Sequence, residues 1–147
     1  MDTITIDGVH LTPLKQIFHP KGDVFHGMKK SDPGFHGFGE AYFSTIHPDD
    51  TKPWKKHLRM TLNFVIPVGQ IRFVLYDDRP QSPTSGSFMD ITLGEGNYQR
   101  ITIPPGIWVA FHGVGRGLNL LLNLADLEHD PEEVERKESL EQIPYAW

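Results

Sequence analysis

The stretch KKHLRMTLNFVIPVGQIRFVLY, residues 55–76, decides the fold, because two runs of alternating polar and apolar residues flank a Pro-Val-Gly turn at 67–69. Alternation with a period of two is typical of β-strands that bury one face. The sequence therefore predicts one long strand over residues 55–66 and a second strand over residues 70–76.

Short apolar segments separated by turn residues continue on both sides of this stretch. The 14 glycines and 12 prolines suit many short strands better than long helices. Residues 1–38 are typical of edge strands and loops. Further strands are predicted over residues 41–46, 88–93, 99–103, 107–112 and 118–124. At least seven short strands with turns between them predict an all-β antiparallel sandwich or barrel.

One helix start is recognisable near the C-terminal end. Asp130 suits the N-cap, Pro131 the first helical position, and Glu132 and Glu133 the first turn, where the helix dipole favours acids. The sequence predicts a short peripheral helix from there to about Leu140. The apolar segment at 143–147 is expected to dock on the body of the protein or on a partner subunit.

Composition limits the classes of function. A length of 147 residues predicts a single domain over residues 1–147. The formal charge of −5 argues against nucleic acid as a partner. The absence of cysteine excludes disulfides, zinc ribbons, iron–sulfur clusters and thiol nucleophiles, and favours a cytoplasmic location. Residues 1–10 lack the pattern of a secretory signal, and no run approaches the ~18 apolar residues of a membrane span.

Polar side chains recur on one face of consecutive predicted strands. Within residues 55–66, His57, Arg59, Thr61 and Asn63 alternate with Leu58, Met60, Leu62 and Phe64. On the later strands the polar face holds Arg72, Tyr76, Trp108, His112, Asn119 and Asn123. If this face lines the interior of a small barrel, it builds a small-molecule pocket. If it faces water, it is only the solvated side of a sheet.

Several motifs occur in a characteristic order: WKKH at 54–57, GQIRFVLYDDR at 69–79, SPT at 82–84, Asn97, IPPG at 103–106 and a strand ending in Phe111. In this order the chain resembles the dTDP-4-dehydrorhamnose 3,5-epimerase family of cupins, over about residues 40–131. The resemblance implies a cupin jelly-roll β-sandwich and a homodimer. It also implies action on nucleotide-linked 4-keto-6-deoxy sugars without a cofactor.

The chemistry implied by the resemblance is removal of a proton α to a ketone and its return from the opposite face. His57 falls at the position of the family's histidine base, and an imidazole with an ordinary pKa of ~6.5 suits that work. A cation near this base would stabilise the enolate oxygen. Lys55 is assigned this role, with Lys56 and Arg59 as alternatives.

Other positions depart from the family pattern. The arginine that opens the base motif is Trp54, the second histidine falls on Val109, and the tyrosine acid aligns with Leu122. The family's lysine falls near Thr61 or Leu62, and the aspartate that supports the base has no recognisable counterpart. The replacement acids are Tyr42, Tyr76 and Tyr98, and Tyr76 is assigned to the catalytic set with His57 and Lys55.

Substrate contacts are predicted for the rest of the polar face. The set is Arg59, Asn63, Arg72, Arg79, Trp108, His112, Asn119 and Asn123. Guanidinium groups match the oxygens of a diphosphate, and Tyr76 or Trp108 can stack on a base or sugar ring. Arg79 has an alternative partner in Asp77 or Asp78 of its own loop.

A metal site is not expected. Many cupins bind a metal through a His-x-His pair, a glutamate and a later histidine. The same frame here gives Lys55, His57, Thr61 and Val109, which supply one ligand of four. The histidines at 10, 19, 26, 36, 47 and 129 show no ligand spacing.

Two other functions remain open. One is a sugar 3,4-ketoisomerase of the same fold, favoured by the turn Pro105-Gly106-Ile107-Trp108. The other is a cupin that binds a sugar without catalysis. In each case edge strands and the apolar C-terminal segment favour a homodimer.

Overall fold

The computed structural model describes residues 4–147, and it contains twelve strands and two short 3-10 turns over that range. Residues 1–3, part of the segment tested for a secretory signal, lie outside the described residues. The strands are β1 (His10–Pro13), β2 (Gln16–Ile17), β3 (Val24–Phe25), β4 (Glu40–Thr45), β5 (Thr51–His57), β6 (Leu62–Val68), β7 (Gln70–Asp77), β8 (Phe88–Gly94), β9 (Gln99–Ile103), β10 (Ile107–Gly113), β11 (Leu120–Ala125) and β12 (Val134–Arg136).

Ten of these strands form two five-stranded antiparallel sheets. The β6 sheet has the order β1-β9-β6-β11-β4, and the β7 sheet has the order β12-β5-β10-β7-β8. Strands β2 and β3 form a separate hairpin. The predicted all-β antiparallel class is therefore confirmed, and the strands form two sheets.

The core lies between the two sheets. Phe64 of the β6 sheet stacks on Phe73 of the β7 sheet with ring centroids 5.5 Å apart, and Phe73 also contacts Phe111. Ile71, Leu75 and other aliphatic side chains around these rings are almost fully buried. Removal of this apolar surface from water is the main force that holds the two sheets together.

A bend divides the single strand predicted over residues 55–66. β5 ends at His57, and β6 begins at Leu62 in the opposite sheet. Residues 58–61 carry the chain from one sheet to the other. The predicted alternation of side chains does not continue across this bend, because the two strands belong to different sheets.

The predicted C-terminal helix is wrong beyond its first turn. Asp130 caps a 3-10 turn, Pro131–Glu133, as predicted, by accepting the backbone N–H of Glu132 at 3.0 Å. The chain then forms β12, whose Val134 pairs with His57 of β5. Pairing with the open edge of β5 outweighs the local preference for a helix, since each strand residue gains a sheet partner there.

The C-terminal segment docks on the body of the protein. Ile143 is buried on the outer face of the β7 sheet with Trp54 and Trp108, and Tyr145 and Trp147 pack beside them. Of the two docking surfaces that the sequence allowed, the body of the protein or a partner subunit, the segment therefore occupies the first. Within the described residues, no helix is long and apolar enough to cross a membrane.

Candidate active site

A cavity of about 170 Å³ opens between the two sheets beside β5. Its floor is apolar, with Leu62 and Phe64 from the β6 sheet and Val109 from the β7 sheet. Polar groups enter it from the surrounding strands, above all His57 at the end of β5 and Tyr42 on β4. A mostly apolar hollow with a few convergent polar groups is the usual form of a small-molecule site.

The central polar contact in this cavity joins His57 to Glu133. Imidazole Nδ1 hydrogen-bonds to carboxylate Oε1, although the two residues are 76 positions apart in the sequence. A carboxylate can only accept, so Nδ1 carries the proton and Nε2 is the nitrogen that can take one up. The His57 side chain is 16% exposed, whereas that of Glu133 is 2% exposed. The pair therefore consists of a potential base, His57, that is hydrogen-bonded to a buried carboxylate, Glu133.

Glu133 is held by the bend that follows β5. Its Oε2 accepts the backbone N–H groups of Leu58, Arg59 and Met60 at 3.1 to 3.2 Å. Burial by itself raises the pKa of Glu133, but the hydrogen bonds from His57 and from the Arg59 and Met60 amides outweigh it and lower the pKa. Glu133 is therefore ionised at neutral pH and fixes the orientation of His57.

Cationic side chains line the rim of the cavity. Lys52 and Lys55 lie on β5, and Arg136 of β12 is the register partner of Lys55. Burial lowers the pKa of Lys55, and the neighbouring charges of Arg136 and Lys52 lower it further. Lys52 is already engaged, because its Nζ donates to the carbonyl of Thr45 at 2.8 Å. Lys55 and Arg136 are thus the cations best placed to meet an anionic ligand.

Tyr42 lines the same cavity as His57 but belongs to the other sheet. β4 is the edge strand of the β6 sheet, and its Tyr42 and Ser44 both line the cavity. Asn123 of β11, the register partner of Tyr42, is fully buried and donates from Nδ2 to the phenol oxygen at 3.1 Å. The cavity therefore has an imidazole on one sheet and a phenol on the other.

Comparison with known proteins identifies the family. No family model matches the chain. A dTDP sugar isomerase from Desulfovibrio desulfuricans G20, known from a crystal structure, is 41% identical with a TM-score of 0.92, and the match covers 97% of this chain and 92% of that protein. The chain belongs to the dTDP-sugar isomerase and epimerase family. The resemblance stated from the sequence motifs is confirmed.

Two further proteins are similar to this chain. The probable low-salt glycan biosynthesis epimerase Agl13 of Haloferax volcanii is 38% identical over 106 residues, which are 71% of this chain and 65% of that relative. The chain thus spans slightly less than two thirds of that relative's length. The 3'-monoepimerase ChmJ of Streptomyces bikiniensis shares the fold, with a TM-score of 0.85 at 15% identity, over 100% of this chain and 78% of that one.

Most members of the polar face lie on the outer faces of the two sheets, which is the second of the two alternatives that the sequence left open, and they do not make the contacts predicted for them in the cavity. Tyr76 packs against Phe88, and Trp108 lies in the cluster under the C-terminal segment, both on the outer face of the β7 sheet. His112 hydrogen-bonds to Thr51 at 2.7 Å, and its ring lies 6.3 Å from that of Trp147 on the same outer face. The structure does not bring these side chains to His57.

The two arginines of β7 and its following loop have structural partners. Arg72 forms two hydrogen bonds to Asp90 and a third, at 2.7 Å, to the carbonyl of Trp147. Arg79 pairs with Asp77 through two nitrogens, which is the alternative that the sequence left open. Burial opposes ionisation of Asp77, but hydrogen bonds from Arg79, Ser82 and Thr84 hold its pKa well below the usual range.

The remaining predicted contacts stabilise loops or lie apart from the cavity. Asn63 lies on the outer face of the β6 sheet, where its Oδ1 accepts from buried Arg100 at 3.1 Å. Asn119 bonds to backbone groups of Ile46 and Gly115. Arg59 is largely exposed and pairs with Asp130 at 3.0 Å. Among the predicted substrate contacts, Asn123 bonds through its side chain to a residue that lines the cavity, Tyr42.

Sequence reasoning placed His57 and Lys55 in the catalytic set, and both line the cavity. It missed Glu133, because the acidic run at 130–133 carries no sign of which member is buried. It also missed the rim position of Arg136, which was assigned to a helix. Across residues 4–147, no three His, Asp or Glu side chains converge as metal ligands.

Proposed function

We propose that the protein is a nucleotide-sugar epimerase that removes the proton α to the ketone of a 4-keto-6-deoxy sugar. The observation that carries this proposal is the His57–Glu133 pair in a cavity between the two sheets. Similarity to a dTDP sugar isomerase and to a probable low-salt glycan biosynthesis epimerase supports the same chemistry. The sheet orders support the assignment of the sandwich as a cupin jelly roll.

His57 acts as the general base in this proposal. Nε2 takes the α-proton, and the developing imidazolium is stabilised by ionised Glu133 at Nδ1. The electron pair of the broken C–H bond moves to the ketone oxygen. Lys55, on the same side of β5 as His57, supplies the positive charge that stabilises this enolate oxygen. These steps require no redox change and use no cofactor.

The nucleotide diphosphate is assigned to the cationic rim. Lys55 and Arg136 are adjacent across the β5–β12 pair, and both are exposed at the cavity. The guanidinium of Arg136 suits the phosphate oxygens, and the positive charge of Lys55, which lies nearer the enolate oxygen in this proposal, adds to the attraction for the diphosphate. This assignment replaces Arg72 and Arg79, which are occupied by Asp90 and Asp77.

A sugar 3,4-ketoisomerase is the second candidate. Val109, at the position where the resemblance implies a second histidine, contributes an apolar side chain to the cavity. A single base suffices to move a proton between neighbouring carbons on one face of the sugar, whereas inversion needs a donor on the other face. This alternative therefore depends on whether the cavity contains a second proton donor.

The test is to incubate the protein with dTDP-4-keto-6-deoxyglucose in D2O and follow the sugar by proton NMR. Loss of signal at C3 or C5 with appearance of an inverted sugar supports the epimerase. A 3-keto product supports the ketoisomerase. Absence of exchange and product on this and other nucleotide-linked 4-keto sugars contradicts both proposals and leaves a cupin that binds without catalysis.

Two histidine variants give this test a matched comparison. His57→Asn is expected to reduce exchange by about 10³-fold or more, because the general base is lost. His112→Asn removes an imidazole from the outer face of the same sheet and is expected to retain exchange. Equal exchange in the wild type and in the His57→Asn variant would remove His57 from the mechanism.

We also propose a homodimer and a cytoplasmic location. The outer face of the β6 sheet supports the dimer. There Phe43 is 66% exposed, and its register partner Leu122 lies between half-buried Leu120 and Leu124. β4 is also an edge strand with backbone groups open to pairing. A second copy of the chain would cover this apolar face.

A further inference from the structure

Tyr42 and His57 line one cavity from opposite sheets. We propose that Tyr42 is the catalytic acid that returns a proton to the sugar from the face opposite His57, an inference that rests on the proposed epimerase function. It assigns the acid to β4, whereas the sequence assigned it to Tyr76 on β7.

The two sheets place the two groups on opposite sides of a bound ring. His57 projects from β5 of the β7 sheet, and Tyr42 projects from β4 of the β6 sheet, into one cavity. The cavity of about 170 Å³ between the two sheets provides the space for a sugar ring between these two side chains. Inversion at a carbon requires proton removal from one face and proton delivery to the other, and this arrangement meets that requirement.

The hydrogen bonds of Asn123 prepare Tyr42 for proton donation. Asn123 Oδ1 accepts the backbone N–H of Asn63 at 3.3 Å, so its Nδ2 is the group directed at the phenol oxygen. The oxygen of Tyr42 therefore accepts a hydrogen bond, and its own proton is free for the substrate. The same amide N–H stabilises the negative charge that the phenol oxygen acquires after donation.

The other three tyrosines do not reach this cavity. Tyr98 donates its hydroxyl proton to the carbonyl of His26 at 2.6 Å, and Tyr145 donates to Asp90 at 2.6 Å. Tyr76 lies against Phe88, with ring centroids 4.6 Å apart, on the outer face of the β7 sheet. Of the four tyrosines in the chain, Tyr42 lines the cavity and the other three do not.

The proton balance closes without another reactant. His57 Nε2 takes the α-proton, and the C–H electron pair forms the enolate. The enolate carbon then takes the hydroxyl proton of Tyr42 from the opposite face, and the ketone is restored. The Tyr42 phenolate regains a proton from water, to which its 43% exposed side chain is accessible, and protonated His57 releases its proton to water.

The test separates proton removal from inversion. Tyr42→Phe keeps the ring and loses only the hydroxyl. With dTDP-4-keto-6-deoxyglucose in D2O, the variant is expected to exchange the α-proton with retention at a rate within about tenfold of wild type. The inverted sugar is expected to form at least 100-fold more slowly, because His57 alone can return deuterium only to its own face.

The matched control is Tyr76→Phe, which also removes a phenol hydroxyl, but from the outer face of the β7 sheet. The inversion rate of this variant is expected to equal that of wild type. Unchanged circular dichroism and unchanged affinity for dTDP show that Tyr42→Phe is folded. Inversion by Tyr42→Phe within threefold of wild type overturns the role of Tyr42 and leaves the proposed function standing. If Tyr42→Phe loses both exchange and inversion, the role of Tyr42 as the acid is also overturned. A wild-type protein without exchange or inversion overturns the proposed function itself.

Discussion

At residue 133 a single carboxylate connects the candidate base to the backbone that follows it. One oxygen of Glu133 bonds His57, and the other accepts three amide N–H groups from the bend at 58–60. The orientation of the imidazole and the path of the chain between the two sheets therefore depend on the same side chain. Replacing it should affect both activity and stability.

We predict that Glu133→Gln lowers the rate of α-proton exchange by about 10²- to 10⁴-fold, because an amide does not hold Nδ1 protonated as a carboxylate does. The measurement is deuterium incorporation by NMR at saturating substrate. Glu132→Gln changes the adjacent, exposed glutamate in the same way and should leave the rate unchanged. A Glu133→Gln rate within threefold of wild type contradicts the proposed role.

The stability lost in Glu133→Gln is also expected to depend on pH. The pKa of Glu133 is lower in the folded state than in the unfolded state. Its contribution is therefore complete above the ordinary pKa of glutamate, about 4.3, and is lost as the pH falls through the folded value. Urea unfolding should show Glu133→Gln less stable by about 1–3 kcal/mol at pH 7, with the difference decreasing below pH ~4. A difference that does not change with pH contradicts this prediction.

At the scale of elements, β5 separates two kinds of lysine. Lys55 lines the cavity, whereas the next residue, Lys56, lies on the outer face with its Nζ 5.0 Å from the centre of the Trp108 ring. Lys56 also lies 3.6 Å from carboxylate oxygens of both Asp78 and Glu135. Strand alternation thus gives neighbouring residues of one type different surroundings.

We predict that Lys55→Ala raises the dissociation constant for dTDP about tenfold at low salt, because it removes a positive charge from the rim where the diphosphate is proposed to bind. Lys56→Ala should change it less than twofold. Isothermal titration calorimetry measures both, and the effect of Lys55→Ala should decrease as salt is added. Equal effects of the two variants would indicate that the diphosphate does not bind at the cavity rim.

The elements also show where sequence reasoning succeeds. Most strands after residue 40 were predicted from alternation and turn residues, because these signals are local. The exceptions are the division of residues 55–66 and the conversion of a predicted helix into β12. Both depend on partners distant in sequence, Glu133 for the bend and β5 for the strand.

At the scale of the whole molecule, one outer face is covered and the other is partly open. The C-terminal segment covers the outer face of the β7 sheet with Ile143 and Trp147. On the outer face of the β6 sheet, Phe43 is exposed. An exposed apolar sheet face beside an edge strand favours self-association.

We predict that the wild type is a dimer and that Phe43→Lys shifts it toward monomer, because a charge at the centre of the interface would lose its solvation. Size-exclusion chromatography with light scattering measures the mass. Phe18→Lys is the control, since Phe18 is 79% exposed in the segment between β2 and β3. A monomeric wild type contradicts the dimer, and a Phe43→Lys variant that stays dimeric contradicts the choice of surface.

The sequence alone determined the all-β class, the family and the candidate base His57, because periodicity, turn chemistry and motif order are carried by neighbouring residues. Only the tertiary structure decided which face of each strand meets the cavity. The bend after His57 moves the chain between sheets, so a side-chain pattern read across residues 55–66 assigns Asn63 to the interior although it lies outside. The partners Glu133 and Tyr42 are brought to the cavity by strand pairing across the two sheets, and local sequence does not encode that pairing.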